Sequence, residues 1–177
     1  DPGAVGPNGL YEKDVVLDIS LKLKKALSEN QAFQVFMTRE RDVFIPLEER
    51  TAFANSKNAE IFISIHANAS PNRSARGIET YLLNWTNEEE AIRVAARENA
   101  ISIKKMKAMH KKMEMDFVGM IKGDLMRDNK RDESNKLANY IQNSIISELG
   151  EKYSEVRNHG VKNALFYVLF GAKMPSV

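Results

Sequence analysis

Cysteine is absent from the 177 residues. That excludes disulfides and any thiolate metal site, so a metal held by this chain must be bound by histidine and carboxylate. No apolar run approaches the roughly 20 residues that a membrane-spanning helix needs. The start carries no signal-peptide pattern, and Asp1-Pro2-Gly3 is not read as a natural N-terminus. Charge of one sign is also lacking, since 26 basic and 24 acidic residues leave only +2. With no Lys/Arg block interleaved with aromatics, nucleic acid is not expected as a partner. No internal repeat is visible. What is present is an apolar content of 43%, enough for one domain with its own core.

Residues 1–9 are rich in Gly, Pro and Asn and read as a loop. From Leu10 a helical pattern begins, with Val16, Ile19, Leu23 and Leu27 at three- and four-residue steps and Lys22, Lys24 and Lys25 on the other side. Residues 33–38 read as a short strand. Pro46 at the first helical position, with Glu48 and Glu49 in the first turn, predicts a second helix to about Ser56. The continuous run Ile61-Phe62-Ile63-Ser64-Ile65 predicts a buried strand, and residues 77–83 predict another. Alternating helices and apolar strands indicate a single α/β domain, its mixed, mainly parallel sheet flanked by helices on both faces.

The middle of the chain is different. Thr86-Asn87-Glu88-Glu89 has the form of a capping box and predicts a helix through Ser102 or beyond. A Met-rich stretch follows, with Met106, Met109, Met113, Phe117 and Met120 at helical spacing, weakened by Gly119 and Gly123. Residues 129–132 read as a polar break. Leu137, Ile141, Ile145 and Leu149 then define an amphipathic helix from Ser134, closed by Gly150. The chain finishes with a strand-like run at 164–170, the turn 171–175 and the start of another strand at Val177.

His66 ends the most apolar strand and opens the polar turn Ala67-Asn68-Ala69-Ser70-Pro71. A buried strand that stops at an imidazole delivers a metal-ligand or acid/base group to the sheet rim, where open α/β folds place their sites. Glu12 lies at the entrance to the first helix. Its position fits a favourable dipole interaction as well as it fits a metal ligand converging with His66. His110 reads as a solvated helix residue. His159, in Arg157-Asn158-His159-Gly160, reads as a loop residue before the last strand.

The segments from Asp1-Pro2-Gly3-Ala4-Val5-Gly6-Pro7-Asn8-Gly9-Leu10-Tyr11-Glu12-Lys13-Asp14 through Thr38-Arg39, Leu47-Glu48-Glu49-Arg50, Ala54-Asn55 and Ser64-Ile65-His66-Ala67-Asn68-Ala69 resemble the zinc-dependent N-acetylmuramoyl-L-alanine amidases. The resemblance covers essentially the whole chain. It implies Zn²⁺ as cofactor, peptidoglycan as substrate, a bacterial periplasmic or extracellular location, and hydrolysis of the amide between N-acetylmuramic acid and L-alanine. By position, Glu12 and His66 match two zinc ligands. The family's first histidine ligand falls before Asp1 and its catalytic glutamate after Val177, so residues 1–177 are expected to be the interior of a longer catalytic domain with no catalytic residue of their own. Arg39, Asp42 and Arg50 match recurrent family positions and are read as ion-pairing residues. Asn68 is read first as a loop-steadying residue and second as a substrate contact.

Within the predicted helix after Asn87, Glu89, Glu90, Arg93, Arg97 and Lys104 share one arc. Glu98 falls on the opposite arc, among Ala91, Val94 and Ala95, where a carboxylate is costly unless paired, metal-bound or able to reach solvent. Members of the family that act in cell division carry a helical insertion here, expected at about 86–132, which blocks the active site until an activator protein moves it. By that resemblance Glu98 is an inhibitory ligand. The Met-rich stretch fits core packing, or an activator-binding surface centred on Met109 and Met113. Other readings stay open: a non-catalytic peptidoglycan-binding module, a zinc peptidase acting on another cell-wall bond, or a metal-free domain in which Glu12 and His66 are structural.

Overall fold

The structure, a computed structural model, describes residues 2–68, 70, 74–84, 86–120 and 125–177, with the side chains of 7, 110 and 113–129 outside the description. A 3₁₀ turn at Pro7–Gly9 leads into helix α1, Glu12–Ser28. Then come α2, Leu47–Ser56; strand β1, Ile78–Leu83; α3, Glu89–Glu98; α4, Ile103–Met120; α5, Leu125–Lys152; β2, Asn158–Ala164; and α6, Tyr167–Phe170.

Strands β1 and β2 pair in parallel, Thr80 with Val161 and Tyr81 with Lys162, with an irregularity between Ile78 and Thr80. Gly77 opens β1 at φ 136°, and a Cβ there would stand 2.5 Å from the Arg157 carbonyl oxygen. Only glycine lets the two backbones approach this closely. Side chains alternate across a strand, so Thr80 and Tyr81 face opposite ways. Thr80 meets the buried Gln142 of α5, whose amide also donates to the Ile78 carbonyl. Tyr81 lies edge-on to Phe166 and packs against the core cluster to which α3 contributes. The α/β architecture is therefore as expected, with a sheet that is smaller and, among the described residues, parallel rather than mixed.

The core gathers Ala91, Ile92, Ala95 and Ala96 of α3, Met106 of α4, Ala164 at the end of β2, and Leu165, Phe166, Val168 and Leu169 after it. Small residues on one face of α3 let its backbone settle closely on that segment. Met106 is wholly buried, which places it as core filler, and the Tyr167 hydroxyl donates to the Met109 sulfur at 2.9 Å. The side chain of Met113 lies outside the described residues.

Several expected elements take another form. Residues 33–38 form no strand, and Phe33 and Phe36 are exposed. Residues 61–65 form only one parallel bridge, Phe62 to Ser176, reinforced by the Ser64 N–H donating to the Val177 carbonyl. Phe62 is buried while Ile61 and Ile63 are exposed, so this segment is covered on one face and not on both. The beginning of a strand at the end of the chain is thus present, as Phe62's partner. The run at 164–170 is the last residue of β2 followed by α6.

The helix after Asn87 starts at Glu89 and ends at Glu98, short of Ser102, because Ala100 turns into the left-handed region at φ 52°. Thr86 accepts from the Glu88 N–H in place of a capping box, and Ser102 accepts from the Lys105 N–H to open α4. The polar residues 129–132 lie inside α5. Gly150 does not close that helix either, since the Tyr153 N–H reaches the Leu149 carbonyl and carries the ladder past it.

Candidate metal centre

Glu12 is the first residue of α1, delivered there by the Gly-rich turn. Its carboxylate is almost fully enclosed and accepts from the Ala4 N–H at 2.8 Å on one oxygen. The other oxygen accepts from the Ala67 N–H at 3.0 Å and faces His66 Nδ1 at 3.2 Å. Gly3 makes room for this: at φ 69°, a Cβ there would stand 2.6 Å from Glu12 Oε2. The opening loop is wrapped on the carboxylate, which argues for a shaped site rather than a free helix-dipole interaction.

His66 follows the bridged segment beside Ser176. Ser64, two residues earlier and so on the same side of the extended chain, places its hydroxyl 3.1 Å from Nε2. Phe166 stacks on the ring at 6.4 Å between centroids and 11° between planes. Held on both sides, the ring turns Nδ1 toward Glu12 and, at 2.9 Å, toward Glu98 at the end of α3. One donor atom from each of Glu12, His66 and Glu98 lies within 4.8 Å of the others, the one such cluster found among the described residues. The three residues singled out in the sequence as metal-facing are brought together.

Two carboxylates facing one imidazole nitrogen require a cation between them, either a proton or a metal ion. Burial by itself would push the Glu12 carboxyl up, but the bonds from His66, Ala4 and Ala67 and the imidazolium charge hold it down at about 2. Burial favours neutral His66, yet the hydrogen bonds and charges of Glu12 and Glu98 raise it to about 9. The donor chemistry, one imidazole nitrogen and two carboxylates in a partly enclosed pocket, fits a divalent ion of the zinc type. The His66 side chain keeps 28% of its surface accessible.

Glu98 reaches this point because α3 is latched to the core beside it. Asn99, 7% exposed, donates to the Leu165 carbonyl at 2.6 Å and accepts from the Tyr167 N–H at 2.8 Å. Sequence reading missed Asn99, Ser64 and Phe166. Ser64 had a signal, the two-residue step to His66; the other two act through contacts more than sixty residues away in sequence.

Asn68 lies just past His66 and donates to Glu79 of β1 at 3.1 Å. His159 is in β2, not in a loop, and its Nε2 lies 3.0 Å from the Arg76 carbonyl, away from the cluster. His110 is in α4, its side chain outside the described residues. Asp42 pairs with Lys13 as expected. Arg39 and Arg50 instead donate to the carbonyls of Lys13 and Ile45, tying the start of α1 and of α2 to the neighbouring loops. Burial lowers the Arg50 guanidinium, with Arg39 adding to the effect and the charge of Glu98 opposing it.

A parallel α/β core that carries an imidazole and carboxylates at the end of an extended segment is the arrangement of an α/β enzyme domain. The chain belongs to the N-acetylmuramoyl-L-alanine amidase family, whose model matches residues 1–177. It is 33% identical over 181 residues to the N-acetylmuramoyl-L-alanine amidase AmiC of Neisseria meningitidis, covering 100% of this chain and 41% of that protein. LytC of Bacillus subtilis, also an N-acetylmuramoyl-L-alanine amidase by name, is 33% identical over 177 residues, 26% of its length. The chain therefore spans less than half the length of these relatives. Among solved structures, the N-acetylmuramoyl-L-alanine amidase of Clostridium difficile 630 superposes with a TM-score of 0.66 at 28% identity, over 99% of this chain and 69% of that one.

Proposed function

We propose that this chain belongs to the catalytic domain of a peptidoglycan amidase that cuts the bond between N-acetylmuramic acid and L-alanine, with Glu12 and His66 as zinc ligands and Glu98 as an inhibitory ligand. The carrying observation is the convergence of Glu12, His66 and Glu98 within 4.8 Å. When bound, zinc supplies a Lewis acid for the scissile carbonyl and a hydrolytic nucleophile usable near neutral pH. The backbone of Ala4 and Ala67 fixes the Glu12 carboxylate, and Ser64 and Phe166 fix the imidazole, so both donors are positioned before substrate arrives.

Glu98 occupies the side of His66 that a substrate carbonyl would need, so the resting arrangement is closed. The helical segment at about 86–132 acts as a lid, and an activator protein of the cell-division apparatus displaces it. The location that fits is the periplasm or the exterior of a bacterial cell. Among the described residues no helix is long and apolar enough to cross a membrane.

The test uses the full-length enzyme on purified peptidoglycan. Glu98→Ala is expected to raise activator-free release of stem peptide bearing an L-alanine amino terminus, by an order of magnitude or more, and chelation is expected to abolish it. No gain from Glu98→Ala overturns the lid. Absence of that product from every variant overturns the amidase reading.

A further inference from the structure

Next to the cluster, Glu79 on β1 collects hydrogen bonds from separate parts of the fold. One oxygen accepts from the Asn68 side chain at 3.1 Å and the Tyr81 hydroxyl at 2.9 Å; the other accepts from Lys162 of β2 at 2.8 Å. The Glu79 and Lys162 side chains are 20% and 16% exposed, whereas Asn68 stands at the surface. A carboxylate accepts and cannot donate. Glu79 therefore decides which end of the Asn68 amide it meets: the NH₂ group must point to Glu79, which turns the carbonyl oxygen away from that carboxylate, on the residue next to the Ala67 whose N–H binds Glu12. Burial would favour the neutral acid, but Lys162 and Tyr81 outweigh it and lower the Glu79 pKa, which keeps it an acceptor at neutral pH.

We propose that Glu79 is a positioning residue that holds the Asn68 side chain with its carbonyl oxygen presented beside the metal centre, as the acceptor for a backbone N–H of the bound stem peptide. The inference rests on the amidase reading given above. A peptide strand lying past His66 offers N–H donors along its length, and a fixed acceptor at Asn68 selects one of them and so sets the register of the scissile bond. The same oxygen on an unrestrained asparagine would spend its time in both amide orientations, one of which presents a donor to a donor.

The experiment uses the zinc-loaded full-length enzyme with a synthetic N-acetylmuramoyl tripeptide, following hydrolysis by product release and binding by calorimetry. Asn68→Ala is expected to weaken binding and raise KM about 3- to 10-fold, the range of one net hydrogen bond, with the loss falling on KM rather than kcat. Glu79→Gln, whose amide can donate to a flipped Asn68, is expected to do the same, and the double variant to be no worse than Asn68→Ala alone. Tripeptides methylated in turn at each peptide nitrogen should include one that wild type binds as weakly as Asn68→Ala does, and that the variant treats like the parent. If Glu79→Gln does not fold, Glu79→Asp, which keeps the charge and withdraws the acceptor, must show the KM effect.

Unchanged KM and binding in a folded, zinc-containing Glu79→Gln enzyme overturns the proposal, as does full additivity in the double variant. If wild type binds the tripeptide without cleaving it, the amidase reading fails while the affinity ratios still decide the role of Asn68. If wild type neither binds nor cleaves it, both fall.

Discussion

At the scale of single residues, Glu12 and His66 set opposite limits on the metal-free protein. The folded pKa of Glu12, about 2, lies below its ordinary 4.5, so its contribution is present above pH 4.5 and is lost as pH falls toward 2. His66 is shifted up from 6.5 to about 9, so its contribution is complete below 6.5 and is lost as pH rises through 9. The pair therefore supports the metal-free fold best between pH 4.5 and 6.5. Urea denaturation of chelator-treated protein from about pH 3 to about pH 10 should show that plateau. Glu12→Gln should flatten the acid limb; an unchanged acid limb would show that the carboxylate is not engaged as described. The pairing came from the family resemblance, because by residue type and position alone a carboxylate entering a helix fits a dipole interaction equally well and an imidazole ending a strand fits a structural cap. What pattern could not supply was the packing that aims them: Gly3 against Glu12, and Phe166 against His66.

At the scale of elements, α3 was legible as a helix with a carboxylate on its packed arc, and that arc does bring Glu98 to His66. Its end was not legible, because the stop is made by a tertiary contact. Asn99 leaves the helix to pair with the backbone of residues 165 and 167, and Ala100 takes φ 52° behind it. The strands show the same limit from the other side. Apolar runs at 33–38 and 61–65 carry β-propensity, but a strand exists only where a partner supplies the ladder, and among the described residues Phe62 has Ser176 while Phe33 has none. In α5 the polar residues 129–132 read as a break by composition, but polar composition alone does not interrupt a helix that is anchored at Ser134 and Gln142. Asn99 also carries a prediction. Asn99→Ala leaves the buried Leu165 carbonyl and the part-buried Tyr167 N–H without this partner, a cost of about 1–3 kcal/mol placed on the attachment of α3. Amide exchange should accelerate at Tyr167 and along residues 89–98 much more than in α5, and basal hydrolysis by the full-length enzyme should rise. Exchange that accelerates uniformly would mean that Asn99 supports the whole core and not the latch.

At the scale of the whole molecule, the cluster joins three parts of the chain that are otherwise held by different contacts. Glu12 belongs to α1 and the opening loop, His66 to the segment bridged to the C-terminal residues, and Glu98 to α3, which packs on β2 and α4. Glu12 and His66 are 54 residues apart in sequence. A metal ion bound by all three is therefore a cross-link between regions, and because the unfolded chain cannot gather these ligands, its binding free energy adds to folding stability. At a free concentration about 100 times the dissociation constant the gain is about 2.7 kcal/mol. Zinc added to chelator-treated protein should thus raise Tm and slow amide exchange in two places at once, the first turn of α1 and the last turn of α3. Glu98→Ala should keep the first effect and lose the second, since Glu12 and His66 still hold the ion while α3 is released. His66→Ala should lose both. Protection of α3 that survives Glu98→Ala would mean that α3 is held by Asn99 and the core alone, and that Glu98 is not a ligand in the resting protein.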